Sequence, residues 1–207
     1  MSNKNLLKIA FLSLFVSFQI QASDPVSGQI IAAKSCDRCH GEFGISDDAD
    51  TPHLASQSVS YIIKQLQDYK SKVRGDKNMY KRAKKLDNQQ MNDIATWYES
   101  QLLPETNILL RKNIKTPSLV NKGDVNRGIP PCDLCHGKDG KTSIGSTPVL
   151  AGQQFGYLLS TMEYFADGSR SNDPGGAVQG IIKKLSDVEI EALAVYYSEL
   201  GGREAEE

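Results

Sequence analysis

Apolar and polar positions along this chain follow a helical period almost throughout. Ile62, Leu66 and Tyr69 recur at i, i+4 and i+7, and Leu158, Met162 and Phe165 repeat the stripe. Met91, Ile94 and Tyr98 mark another helix, echoed by Ile190, Leu193 and Tyr197. Asp87 and Ser186 stand where the N-caps of these two closing helices belong. A first helix is predicted over Val26 to Lys34. Strand-like alternation is missing, so the pattern predicts an all-α chain.

The echo between the two halves is a tandem duplication. Cys36-Asp37-Arg38-Cys39-His40-Gly41 returns as Cys132-Asp133-Leu134-Cys135-His136-Gly137, displaced by 96 positions. The same displacement pairs Gly44 with Gly140, Pro52 with Pro148, Gln57 with Gln153, Tyr61 with Tyr157 and Arg74 with Arg170. Three extra residues then shift it to 99, pairing Leu86 with Leu185 and Tyr98 with Tyr197. The expected organisation is residues 23–102, a connector over 103–120, and residues 121–207 ending in an acidic tail. Each copy reads as a three-helix unit with long loops. Units this small bury little surface and usually depend on a staple.

Residues 1–22 look like an address. Lys4 and Lys8 precede an apolar run from Ile9 to Ile20, closed by Gln21-Ala22, which are the parts of a secretory signal peptide. The run is well short of the roughly 20 residues a bilayer span needs. Cleavage near Ala22 is expected to leave an exported chain in a compartment that tolerates disulfides.

Composition narrows the function classes. The 207 residues carry a formal charge of −1, which gives no nucleic-acid-binding surface. Charge is uneven: 23–102 is neutral, 103–120 carries +2 and 121–207 carries −5. Lys77, Lys81, Arg82, Lys84 and Lys85 cluster around Met79, as a solvated loop or as a surface that steers an acidic partner.

All four cysteines lie in Cys-x-x-Cys-His, the attachment signature of c-type haem. Two thiols one helical turn apart each add to a vinyl group, and the adjacent His coordinates iron. Two covalently attached haem c groups are expected, on Cys36, Cys39 and His40 and on Cys132, Cys135 and His136. A zinc ribbon fits less well, because Cys39 and Cys132 are far apart in sequence. A pair of redox disulfides does not call for a His after each second Cys.

Iron next needs a distal ligand. Of four methionines, Met1 leaves with the signal peptide and Met91 falls in an apolar stripe. Met79, placed in an exposed polar loop from Arg74 to Lys85, is the expected axial ligand of haem 1. Its counterpart by register is Val178, and residues 171–180 contain no Met, His, Cys or Lys. Met162 occupies a core stripe, His53 pairs with Val149, and Lys183 and Lys184 read as solvated. His136 is then the one expected protein ligand of iron 2, with its sixth position open, held by water, or met by Met162.

These motifs, with Pro-x-Leu-Ala-Ser/Gly-Gln at 52–57 and 148–153, Tyr-Ile-Ile-Lys-Gln-Leu at 61–66 and Leu-Ser-Asp-Val-Glu-Ile at 185–190, resemble the dihaem cytochromes c4. The cytochrome subunit of flavocytochrome c sulfide dehydrogenase is similar. The resemblance implies two tandem class I cytochrome c domains about a pseudo-two-fold axis, with haem propionates close across the interface. It implies that the Pro52 and Pro148 carbonyls orient His40 and His136. It further implies a periplasmic electron carrier in a respiratory chain, at most peripherally attached to a membrane, delivering to a terminal oxidase. Family members carry Met on both irons, whereas Ala177-Val178 stand at the second position here.

Two other functions stay open from sequence. One is an electron-accepting subunit held by a dehydrogenase or flavoprotein donor. The other is a haem protein that binds or reduces a small molecule at iron 2. Against the latter, residues 171–180 offer no second His, Arg-rich pocket or obvious general acid.

Overall fold

A computed structural model describes residues 22–103, 115–142 and 144–201. The expected signal peptide and acidic tail lie outside these residues, as does most of the connector. Among the described residues regular structure is helical, and the one β-bridge joins Asp124 to Ile129.

Asp24 accepts from the Val26 N–H and Pro25 opens the first turn, so α1 runs Pro25–Ser35. It crosses α5 (Asn88–Glu99) so closely that a Cβ on Gly28 would stand 2.1 Å from the Asp93 carbonyl oxygen. Between them come α2 (Asp37–His40), α3 (Val59–Ser71) and α4 (Lys77–Ala83). Ile62, Leu66, Tyr69, Met91, Ile94 and Tyr98 meet in the core of this unit, as their periodicity requires.

The second unit repeats the plan with α6 (Ser118–Asn121), α7 (Asp133–His136), α8 (Phe155–Asp167), α9 (Ala177–Ile182) and α10 (Asp187–Glu199). Among the described residues its first helix is a single turn. Leu119 and Val120, assigned to the connector by sequence, lie buried in the core with Leu158, Leu193 and Tyr197. Arg127 ties this segment down, donating to Asp124 and bridging to Glu189 on α10. Asp87 and Ser186 both cap as expected, each within a reciprocal capping box with Gln90 or Glu189.

Each unit therefore holds more than three helices. The additions, α2, α4, α7 and α9, are four to seven residues long. So short a segment carries too few apolar positions to display a period.

Candidate haem centres

In both units the Cys-x-x-Cys-His stretch forms one helical turn. His40 N–H donates to the Cys36 carbonyl at 3.1 Å, and His136 N–H to that of Cys132 at 3.1 Å. Residues three apart on a helix share a face, which places each pair of thiols side by side. None of the four is in a disulfide; Cys39 and Cys135 are exposed, Cys36 and Cys132 half-buried. Burial pushes the Cys36 thiol up to about 11, unlike a metal thiolate, which sits below its ordinary range. Among the described residues no three His, Cys, Asp or Glu side chains converge on a common point.

Gly41 and Gly137 then reverse the chain at φ +76° and +71°. A Cβ there would stand 1.8 Å from the Ile45 carbonyl oxygen or 1.7 Å from Thr142 Oγ1, so only glycine fits. The reversal brings the prolines under the imidazoles. His40 Nδ1–H donates to the Pro52 carbonyl at 2.9 Å, and His136 Nδ1–H to the Pro148 carbonyl at 2.8 Å. A carbonyl only accepts, so Nδ1 carries the proton and Nε2 keeps its lone pair. Burial lowers both histidines below their ordinary range, favouring the neutral imidazole that binds iron. Neither Nε2 makes a hydrogen bond to a described residue.

Behind each motif a tyrosine packs against a glycine. A Cβ on Gly44 would lie 2.7 Å from the Tyr98 ring, and one on Gly140 2.8 Å from the Tyr197 ring. The two loops are pinned alike, with Leu54 N–H on Gly44 O and Leu150 N–H on Gly140 O, each at 2.8 Å. Paired thiols, a neutral imidazole with Nε2 available and a glycine-lined close approach make a donor set suited to c-type haem.

The segments around Met79 and Val178, by contrast, differ between the units. Met79 sits on α4, whose N-cap Asp76 accepts its N–H at 2.7 Å, and is half-buried against the first core. This corrects the expected exposed loop: the Asp76 cap and the buried Ala83 make the stretch a helix. In the second unit Asp173 Oδ2 accepts the Val178 N–H at 2.7 Å, and Val178 packs on Phe165, Ile182 and Ile190. Here too a helix, α9, replaces part of the expected loop.

The units meet through hydrogen bonds that obey the same two-fold relation. Gln57 Nε2 donates to Val149 O at 3.0 Å while Val149 N–H donates to Gln57 Oε1 at 2.8 Å. Gln153 does the same to His53, at 3.0 and 2.8 Å. Further along, Arg74 reaches Tyr157 Oη at 3.1 Å and Arg170 reaches Tyr61 Oη at 3.2 Å. Burial raises a tyrosine, but Arg74 and Arg170 more than offset it and hold the Tyr157 hydroxyl well below the ordinary range. Each guanidinium also covers an aromatic ring of its own unit, Tyr69 or Phe165.

Residues 26–101 match the family model for cytochrome c. A cytochrome c4 from Thiocapsa roseopersicina is 36% identical over 180 residues, covering 85% of this chain and 92% of its own. The chain belongs to the cytochrome c4 family. The crystal structure of reduced recombinant cytochrome c4 from Pseudomonas stutzeri superposes with a TM-score of 0.76 at 32% identity, covering 86% of this chain and all of the other. A thiosulfate dehydrogenase electron acceptor from Stutzerimonas stutzeri (strain A1501) is 32% identical over 202 residues, 93% of each chain. As a member of the cytochrome c4 family, this chain is an all-α dihaem electron-transfer cytochrome with two covalently bound haem c groups.

Within that framework the structure brings Cys36, Cys39, His40 and Pro52 together on the first unit, and Cys132, Cys135, His136 and Pro148 on the second. His53 is a half-buried joint residue whose Nδ1 accepts the Ser46 N–H at 2.9 Å. Met162 is half-buried against the second core. Lys184, expected to be solvated, is exposed but donates to Gly128 O at 3.0 Å. Sequence reasoning missed the function of Gln57, Gln153, Arg74 and Arg170, which served there only as register marks. The signal was their chemistry: long polar side chains repeated between apolar stripes need partners.

Proposed function

We propose that the chain is an exported, periplasmic electron carrier of a respiratory chain with two unequal haems. Its units are residues 23–102 and 121–207, the second core also taking in Leu119 and Val120 from the connector. His40 and Met79 would hold iron 1, and among the described residues His136 alone would ligate iron 2. When bound, each haem supplies a one-electron iron couple. The protein fixes each imidazole through a proline carbonyl, sets the ligand field, and holds the units in register. The carrying observation is that the His–Pro hydrogen bonds occur in both units while the Met79 thioether has Val178 as its counterpart.

A thioether favours ferrous iron and raises the potential. Met79 would therefore make haem 1 the site where electrons come to rest. Lys77, Lys81, Arg82, Lys84 and Lys85 are all exposed on or beside α4. This basic face would receive an acidic redox partner, such as a terminal oxidase.

A second role, as acceptor for a dehydrogenase or flavoprotein, is supported by the similarity to the thiosulfate dehydrogenase electron acceptor over nearly the whole chain. Co-purification of a dehydrogenase with the exported protein selects it over the free shuttle. For the haem 1 ligands, Met79→Ala is expected to abolish the far-red ferric sulfur band in visible spectra. Persistence of that band would overturn Met79 as ligand.

A further inference from the structure

We propose that the distal side of the second haem binds a small uncharged π-acceptor molecule of the carbon monoxide or nitric oxide class. This rests on the reading that His136 is the only protein ligand of iron 2. Val178 and Met79 occupy equivalent ground: each lies on the short helix before the closing one, half-buried against its unit's core. Met79 there ends in a thioether; Val178 ends in two methyl groups and offers no donor.

Three polar side chains of the second unit are engaged elsewhere. Arg170 is committed to Asn172 at 2.8 Å and to Tyr61. Lys184 Nζ donates to Gly128 O. Gln179 donates its amide to Arg170 O at 3.3 Å. Met162 packs among the apolar side chains of both clusters.

The same surroundings choose the ligand. Val178 stands among Phe165, Ile182 and Ile190, and a charged ligand in apolar company pays a desolvation cost. Asp173 Oδ2 accepts the Val178 N–H, and Asp173 Oδ1 is buried without a hydrogen bond. A carboxylate there repels anions. An uncharged diatomic needs no counter-charge and binds ferrous iron through back-donation.

The test is carbon monoxide added to the reduced, haem-loaded full chain, followed by visible spectra. One haem of the two is expected to respond, with one CO per chain. Val178→Met should weaken binding about tenfold or more, and Met162→Leu should leave it unchanged. Absence of CO binding in the parent protein overturns the proposal; if Met162→Leu then restores binding, Met162 is the ligand. Equal binding by Val178→Met overturns it too, as does azide binding the ferric protein as readily as CO binds the ferrous one. Full reversible reduction of both haems, measured without CO, tests electron carriage independently. That result can stand while the ligand proposal falls.

Discussion

Gln57 and Val149 are joined by two hydrogen bonds across the unit boundary, the amide of one meeting the peptide N–H and C=O of the other at 2.8 and 3.0 Å. Gln153 and His53 repeat the arrangement. An amide side chain that satisfies both backbone groups of a residue leaves little rotational freedom at the joint. Register between the units is fixed at these points.

Replacing Gln57 and Gln153 together by Leu strands six backbone groups: the N–H and C=O of Val149 and of His53 across the boundary, and the Ser58 and Gln154 N–H groups beside it. Each buried group left without a partner costs about 1–3 kcal/mol. Scanning calorimetry of the holoprotein is expected to split one cooperative transition into two. A single transition at the parent temperature contradicts a joint built on these residues.

Gly140→Ala places a methyl 2.8 Å from the Tyr197 ring at a backbone φ of +71°. Overpacking of this kind costs about 1–3 kcal/mol, and the left-handed conformation adds to it. Denaturant titration is expected to show that loss. An unchanged midpoint would mean that the loop tolerates the side chain.

The Arg127–Glu189 pair gives a pH signature. The Arg127 hydrogen bond, aided by the Ser186 backbone, holds Glu189 down to about 2. Because the folded value is depressed, its stabilisation is present above the unfolded value and lost as pH falls through about 2. Glu189→Gln preserves the capping box but removes the charge, and should cost about 1 kcal/mol at neutral pH for so exposed a pair. Stability curves of the two proteins are expected to converge in acid. A constant gap down to the lowest pH would exclude the ion pair as the cause.

Electrostatic docking at α4 predicts salt dependence. Lys81→Glu with Lys85→Glu should slow electron transfer to an acidic partner about tenfold at low ionic strength, and flatten its dependence on salt. Stopped-flow measurement over a salt series checks this. Parent-like rates throughout would place docking on another face.

Much of this is legible in the sequence. Period-3.6 stripes marked α3, α5, α8 and α10, because long amphipathic helices write their buried face into sequence. The motif marked both haem attachments, since covalent chemistry demands fixed residue types at fixed spacing. The short helices α4 and α9 were not legible, as their stability comes from the Asp76 cap, from Asp173 accepting the Val178 and Gln179 N–H groups, and from packing. Leu119 and Val120 were misplaced because a one-turn helix has no period. The cross-unit pairs Arg74–Tyr157 and Arg170–Tyr61 were invisible, since sequence does not show which polar residues face each other across 80 or more positions.

The central claim is that the two haems are unequal, and a potentiometric titration of the holoprotein followed by visible spectra tests it most directly. Two one-electron steps are expected, separated by clearly more than the about 59 mV that marks a tenfold change in a one-electron equilibrium. The higher step should belong to haem 1 and fall in Met79→Ala. Two steps at the same potential, both unaffected by that substitution, would contradict it.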